Sequence, residues 1–189
     1  MPKLIFVTHP EVVVDPDRPV TDWTLRDTGR ARATAFASHS AVADVTHIWT
    51  SAERKARETA DILAARRGIP VATHADLGEN DRSATGFLPP DQFEAAADMF
   101  FAQPGDSFRG WETAQAAQAR VVGATQTILS QHAGTDLMIV AHGAVGTLLW
   151  CHLTGSAISR DHDQPRQGCY WVANLPDLTV HGPWQPIAP

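Results

Sequence analysis

The sequence predicts an α/β protein, a three-layer sandwich in which helices cover both faces of a mostly parallel central sheet. Short apolar runs at Lys3–Thr8, Val45–Thr50 and Asp136–Ala141 are typical of strands that are buried on both faces. Segments with helical periodicity separate these runs, and such alternation favours a parallel sheet. Because ligands of these sheets bind beyond the carboxyl ends of the strands, we expect a site at that edge.

The remaining elements follow from helix signals and turn residues. Asp27 and Thr28 are candidate caps for the first helix. Helices are predicted over residues 30–38, 53–67, 90–102, 111–132 and 143–153. Further strands are predicted over residues 71–73, 168–175 and 178–181, and the last two can form a hairpin.

Length and charge limit the classes of protein. With 189 residues, the chain fits one domain, expected over residues 1–189. Its formal net charge of −6 argues against non-specific nucleic-acid binding, which needs a basic face. The longest apolar run is broken by His142 and glycines, whereas a membrane-spanning helix needs about 20 apolar residues. Since no secretory signal is evident either, we expect a cytoplasmic protein without nucleic-acid or membrane partners; homo-oligomerisation stays open.

Cysteine and histidine usage favours neither a metal nor a cofactor. The two cysteines, Cys151 and Cys169, form no C-x-x-C pair. We expect two reduced, buried thiols, with a disulfide between them as the alternative. The nine histidines are scattered and include no H-x-x-x-H pair, so we expect no metal site.

Two predicted strands end directly in a histidine, His9 after the first and His142 after the run at Asp136–Ala141. Either residue alone is more typical of a strand end without a chemical role. Both, however, are predicted at the ligand-binding edge of the sheet. A helix is predicted to begin directly after His142, and helix amino termini attract anions. The pair therefore favours a site that binds a small anion.

Four short segments, in this order, resemble the histidine phosphatase superfamily, which has a phosphoglycerate mutase-like fold. They are the histidine after the first strand, Thr50-Ser51 with Lys55-Ala56 and Thr59-Ala60, the Leu77-x-Glu79 loop, and Ala141-His142-Gly143. Each segment alone is weak evidence, but their number and order are specific. The resemblance covers nearly the whole chain.

The resemblance implies phosphoryl transfer to a histidine. His9 would be the nucleophile, Glu79 would protonate the leaving oxygen, and His142 would hydrogen-bond the phosphoryl group. This chemistry suits the residue types, because imidazole has a usable neutral fraction near pH 7 and a carboxylic acid can donate a proton.

The sequence departs from the family at the first motif. Thr8-His9-Pro10 stands where the family has Arg-His-Gly, so the charged guanidinium fork before the nucleophile is missing. Lys55 stands where the family has a second arginine; it keeps the charge but loses the bidentate geometry. We expect Thr8, Arg54 and Lys55 to bind phosphate. Further candidates for the missing fork are Arg57 and Arg82.

Two functions remain open. One is a phosphatase that acts on a small phosphorylated molecule or a phosphorylated protein. The other is a weakly active or inactive protein of the same fold that binds a phosphorylated ligand. The polar loop over residues 81–90 has two interpretations. It is either a lid that shapes access of the substrate or a well-packed surface loop.

Overall fold

A computed structural model describes residues 1–132 and 134–189. These residues form one six-stranded sheet with the strand order β3-β2-β4-β1-β5-β6. The strands are β1 (Lys3–Thr8), β2 (Val45–Thr50), β3 (Val71–Thr73), β4 (Asp136–Ala141), β5 (Cys169–Asn174) and β6 (Val180–Pro186). The first four strands are parallel, and β5 pairs antiparallel with β1 and with β6. The predicted mostly parallel sheet is confirmed.

Helices cover both faces of the sheet, which confirms the three layers. They are α1 (Asp27–Phe36), α2 (Arg54–Ala65), α3 (Pro90–Ala102), α4 (Ala114–Gln131) and α5 (Gly143–Thr154). Along β1, Leu4 and Phe6 pack in one apolar cluster with α3, α4 and α5. Ile5 and Val7 pack in a second cluster with α1 and α2. Alternate side chains of a strand point to opposite faces, so the continuous apolar runs fill two cores.

The structure differs from prediction in the bounds of several elements: the last strand runs over Val180–Pro186 rather than residues 178–181, and two helices begin at other residues. Helix α1 begins at Asp27 rather than at residue 30, because Arg26 is the N-cap residue and Asp27 lies in the first turn. Helix α4 begins at Ala114, where the Thr113 hydroxyl accepts a hydrogen bond from the backbone N–H of Ala116. Within the described ranges, no helix combines the length and apolar character needed to cross a bilayer.

The two cysteines match the expectation for thiols. Cys151 and Cys169 are both buried, and each is a free thiol in the described part of the chain. Cys169 begins β5, next to the carboxyl end of β1. It therefore belongs to the structural support of the ligand-binding edge.

The loop after β1 is held in place by Arg32 on α1. The guanidinium of Arg32 donates to Glu11 Oε1 at 2.6 Å and to the carbonyl of Gly168 at 3.0 Å. The N–H of Gly168 in turn donates to the carbonyl of His9 at 3.0 Å. On its other side, the N–H of His9 donates to the carbonyl of Ala141 at 3.1 Å. These bonds fix the backbone of His9 between β4 and the segment before β5.

Helix α5 approaches the sheet closely at Gly146. A Cβ atom at this position would lie 2.5 Å from Cε1 of Phe6 and 2.7 Å from Cη2 of Trp184. Both rings are buried in the core, so neither can move away freely. The glycine therefore permits the contact that sets α5, and with it His142, against β1.

We expect Gly146→Ala to lower the free energy of unfolding by about 1–3 kcal/mol, because the added methyl group overpacks the core. The matched control is Gly123→Ala in α4, where an added Cβ meets no described atom within 4 Å. That change should raise stability by roughly 0.5–1 kcal/mol, since alanine favours a helix. Urea unfolding of both variants measures the difference, and equal effects would contradict the close approach.

Candidate active site

The structure brings His9 and His142 together at the carboxyl edge of the sheet. Strands β1 and β4 are parallel neighbours, with Thr8 paired to Ala141. The next residue of each strand is a histidine, so the two rings leave adjacent strand ends. Their centroids lie 5.3 Å apart in an edge-on arrangement. This distance suits two imidazoles that share one small ligand.

The His9 ring is held as a neutral imidazole with a defined tautomer. Its Nδ1 lies 2.9 Å from the carbonyl oxygen of Pro10. Because a carbonyl can only accept, Nδ1 carries the proton and Nε2 keeps its lone pair. Burial, together with the nearby Lys55 charge, lowers the pKa of His9 to about 4. At neutral pH, Nε2 of His9 is therefore a free nucleophile.

His142 is fully buried at the N-cap position of α5. Its Nε2 lies 2.7 Å from the Ser51 hydroxyl, which itself accepts from the N–H of Glu53 at 3.3 Å. The Ser51 hydroxyl can donate to Nε2, and in the tautomer that accepts this bond the ring proton is on Nδ1. Burial lowers the pKa of His142 well below its ordinary value. Among the described residues, Nδ1 of His142 has no partner, so it is a donor available to a ligand.

Glu79 reaches the start of α5 from its loop. Its carboxylate oxygens accept from the N–H groups of Ala144 at 3.3 Å and Val145 at 3.1 Å. Burial raises the pKa of Glu79, and the nearby Glu53 carboxylate raises it further. A carboxyl group in this environment is suited to carry and donate a proton.

Glu53 forms a buried ion pair with Lys55. Besides contacting the Lys55 ammonium, it accepts the N–H of Glu79 at 2.8 Å and lies 3.4 Å from Nε2 of His142. Burial alone would raise the pKa of Glu53, but the adjacent His142 and Lys55 lower it to about 2. Lys55 also donates to the carbonyl of Val20 at 2.9 Å. The positive charge of Lys55 at the site is therefore balanced by the Glu53 carboxylate.

Two of the predicted phosphate-binding residues are not brought to the site. Arg54 is exposed on α2 and donates to Glu58 at 2.9 Å. Thr8 is buried, but its hydroxyl donates to Gln164 Oε1 at 2.6 Å and accepts the N–H of Cys169 at 2.9 Å. In both cases, neighbouring groups occupy the polar atoms that would otherwise bind an anion. Glu58 accepts from the Arg54 guanidinium, and Gln164 and Cys169 bond to the Thr8 hydroxyl.

Two neighbouring cavities share part of their walls, and His9 lines one of them. The first, of about 400 Å³, is lined by His9, Lys55 and Phe93 among others. The second, of about 470 Å³, is lined by Val20, Glu53 and the loop after Glu79. Both are bordered by Glu79, Asn80 and Arg82. The loop over residues 81–90 therefore contributes to the walls of the site.

Sequence reasoning missed Ser51, Glu53 and Asn80. Ser51 was visible as part of the Thr-Ser segment, but its contact with His142 needs the fold. Glu53 precedes Lys55 by two residues, and an acidic residue so near the predicted phosphate ligand was the available signal. Asn80 follows Glu79 directly, but nothing in the sequence marks its buried amide.

The arrangement is suited to phosphoryl chemistry. A neutral imidazole nitrogen provides a nucleophile, a second imidazole provides a donor, and a carboxyl group with raised pKa provides an acid. His9 and Glu79 line one cavity of small-molecule size, and His142 directly precedes Gly143, which also lines it.

Comparison with known proteins adds independent information. The family model described as histidine phosphatase superfamily (branch 1) matches residues 4–172. Phosphoglycerate mutase-like protein 4 of Arabidopsis thaliana is 28% identical over 158 residues, which cover 76% of this chain and 67% of that protein.

Solved structures show the same fold. YhfR of Bacillus stearothermophilus has a TM-score of 0.81 at 24% identity, over 96% of this chain and 95% of that one. A mycobacterial glucosyl-3-phosphoglycerate phosphatase has a TM-score of 0.76 at 17% identity, over 97% and 96%. The alpha-ribazole phosphatase of Shigella flexneri has a TM-score of 0.75 at 18% identity, over 98% and 97%. With a family model that spans both histidines and Glu79, this chain belongs to the histidine phosphatase superfamily.

Proposed function

We propose that this protein is a phosphatase that hydrolyses a phosphomonoester through a phosphohistidine intermediate on His9. The observation that carries the proposal is the state of His9: Nδ1 donates to the carbonyl of Pro10, so Nε2 is unprotonated beside the cavity. Family membership supports it, as do the phosphatases among the proteins of similar fold.

The reaction runs in two steps. Nε2 of His9 forms a bond to phosphorus, the bond from phosphorus to the ester oxygen breaks, and Glu79 gives its proton to that oxygen. The oxygen of a water molecule then forms a bond to phosphorus, the bond from phosphorus to Nε2 of His9 breaks, and Glu79 takes a proton from that water. The products are an alcohol, inorganic phosphate and neutral His9. The Nδ1–H of His142 stabilises the negative charge of the transferring group.

The position of Glu79 suits both proton transfers. It borders both cavities, so the phosphoryl group beside His9 and the alcohol portion in the neighbouring cavity would meet at its carboxyl group. The volume of about 470 Å³ of the second cavity fits the organic part of a small molecule. Of the two substrate classes, this favours a small phosphorylated metabolite over a phosphorylated protein.

A second candidate is a protein that binds a phosphorylated ligand without turnover. The observation in its favour is the loss of phosphate donors at two positions: Glu53 neutralises Lys55, and Gln164 and Cys169 use the hydroxyl of Thr8. Fewer cations stabilise less of the transition-state charge. Detection of a phosphorylated enzyme during turnover separates the two functions.

We expect His9→Asn to abolish release of phosphate from para-nitrophenyl phosphate and to abolish the acid-labile phosphoenzyme, because no other free nucleophile borders the cavity in the described residues. His152→Asn, at an exposed position of α5, is the matched control and should leave both unchanged. Rapid-quench labelling with a phosphorylated substrate measures the intermediate. Undiminished turnover by His9→Asn would remove His9 from the mechanism.

The effect of Glu79→Gln should depend on the leaving group. A glutamine cannot protonate the ester oxygen, so hydrolysis of an alkyl phosphate should slow by ~100-fold or more. Para-nitrophenyl phosphate, whose leaving group needs little protonation, should slow much less. In the native protein, the rate should fall at high pH as Glu79, whose pKa is raised, loses its proton. Glu79→Gln should lack this fall. Equal slowing of both substrates would argue against an acid role.

Stability should depend on pH through His9. The folded protein keeps this ring neutral down to about pH 4, whereas the unfolded chain protonates it near the ordinary value of 6.5. Between these values the unfolded state binds more protons, so stability falls as the pH is lowered. The contribution of His9 to this loss is about 3 kcal/mol. Urea unfolding near pH 7 and near pH 4 measures this fall in the free energy of unfolding. The fall should be smaller in His9→Asn than in the native protein, and an equal fall in both would contradict a buried, neutral His9 ring.

A further inference from the structure

Asn80 offers an unused hydrogen-bond donor at the junction of the two cavities. Only 6% of the residue is exposed, and it borders both cavities. Its Nδ2 has no hydrogen-bond partner in the described chain. Buried amide groups are nearly always bonded, because an unmade bond costs about 1–3 kcal/mol. A group left unpaired at a cavity wall points to a ligand as its partner.

Arg82 offers an unused charge at the same junction. Its guanidinium lies over the ring of Phe93 at 4.9 Å and is partly buried. Burial lowers the pKa of Arg82, and the Glu79 and Glu53 carboxylates oppose this only at a distance. With the described residues it makes neither a hydrogen bond nor an ion pair. Its donors are therefore free for a ligand in either cavity.

The backbone of this loop is ordered by its own bonds. The carbonyl of Arg82 accepts the N–H groups of Thr85 at 3.1 Å and Gly86 at 2.9 Å. Trp111 Nε1 donates to the Thr85 hydroxyl at 2.9 Å. Asn80 and Arg82 are thus presented on a fixed turn on either side of Asp81, adjacent to the proposed acid.

The other cations that border the His9 cavity are already engaged. Lys55 pairs with Glu53, and Arg160 pairs with Glu94 and Asp98. Arg166 donates to the carbonyl of Ala188 at 2.8 Å. Within the described residues, Arg82 is the lining cation whose charged group has no such partner. Among the described residues, Arg82 is therefore the lining arginine whose donors are all unused, and an unpaired amide, that of Asn80, lies two residues before it.

We propose that Asn80 and Arg82 together bind the phosphoryl oxygens and replace the arginine missing from the Thr8-His9-Pro10 segment. This inference rests on the proposed function for the identity of the ligand as a phosphoryl group. The planar guanidinium gives two parallel donors to two oxygens, and the amide gives a third. Glu79, which directly precedes Asn80 in the chain, then lies next to the ester oxygen.

The test measures binding of inorganic phosphate by calorimetry at constant ionic strength. The variants are Arg82→Met, Arg82→Lys and Asn80→Leu, and the control is Arg26→Met, an equal change of charge at an exposed position. Arg82→Met should weaken binding about tenfold or more, because charge-assisted bonds are lost. The phosphate affinity of Arg82→Lys should lie between those of the native protein and Arg82→Met, since lysine keeps the charge but not the bidentate geometry of the guanidinium. Asn80→Leu should weaken binding severalfold, and Arg26→Met should match the native protein.

Thermal unfolding separates binding from a structural role. Arg82 makes neither a hydrogen bond nor an ion pair with the described residues, and methionine can keep an apolar contact with the Phe93 ring, so Arg82→Met should unfold at the native temperature or above it. Phosphate should raise the midpoint of the native protein and raise that of Arg82→Met far less. A clearly lower midpoint for ligand-free Arg82→Met would make the guanidinium structural and overturn the proposal, as would phosphate affinity within about twofold of native.

Failure of this inference and failure of the proposed function are distinguishable. If Arg82→Met loses phosphate affinity while the native protein shows neither turnover nor a phosphoenzyme, the binding pair stands and the catalytic proposal falls. If Arg82→Met keeps native affinity while His9→Asn abolishes turnover, the binding pair falls and the catalytic proposal stands.

Discussion

Parallel pairing of β1 with β4 is the constraint on which the site depends. It aligns Thr8 with Ala141, so the next residues, His9 and His142, emerge side by side. Apolar side chains on both faces of these strands hold the register, because a shift by one residue would turn every buried side chain to the other face. The geometry of the two imidazoles is thus set by the core of the protein rather than by the loops.

The charged and polar groups around the two histidines come from two segments of the chain. An internal carboxylate, Glu53, forms an ion pair with Lys55 and contacts His142, so the site contains an anion of its own. The loop after Glu79 brings Asn80 and Arg82 to the same cavities. The two histidines thus lie at strand ends, whereas Glu79, Asn80 and Arg82 all lie on the one loop between Leu77 and Pro90.

The position of the two histidines could be predicted from the sequence, because the geometry of the strands determines it. Strand ends are readable from apolar runs, so the convergence of His9 and His142 could be predicted. Side-chain direction was harder, as α2 illustrates. Consecutive helical residues differ by about 100°, and Lys55 lies one turn before buried Thr59 whereas Arg54 lies one turn before Glu58. This periodicity could have separated the two cations, but the Glu53–Lys55 contact and the open donors of Asn80 and Arg82 depend on distant segments.

The contacts of Thr8 limit which side chains can occupy its position. Its hydroxyl joins Gln164 to the first residue of β5, and the side chain of Gln164 packs against Gly143 so tightly that a Cβ there would lie 2.4 Å from Nε2. An arginine at position 8 would have to displace this whole bonded unit from a fully buried location. A single Thr8→Arg change therefore cannot supply a guanidinium here, because the residues that surround position 8 would have to be repacked with it.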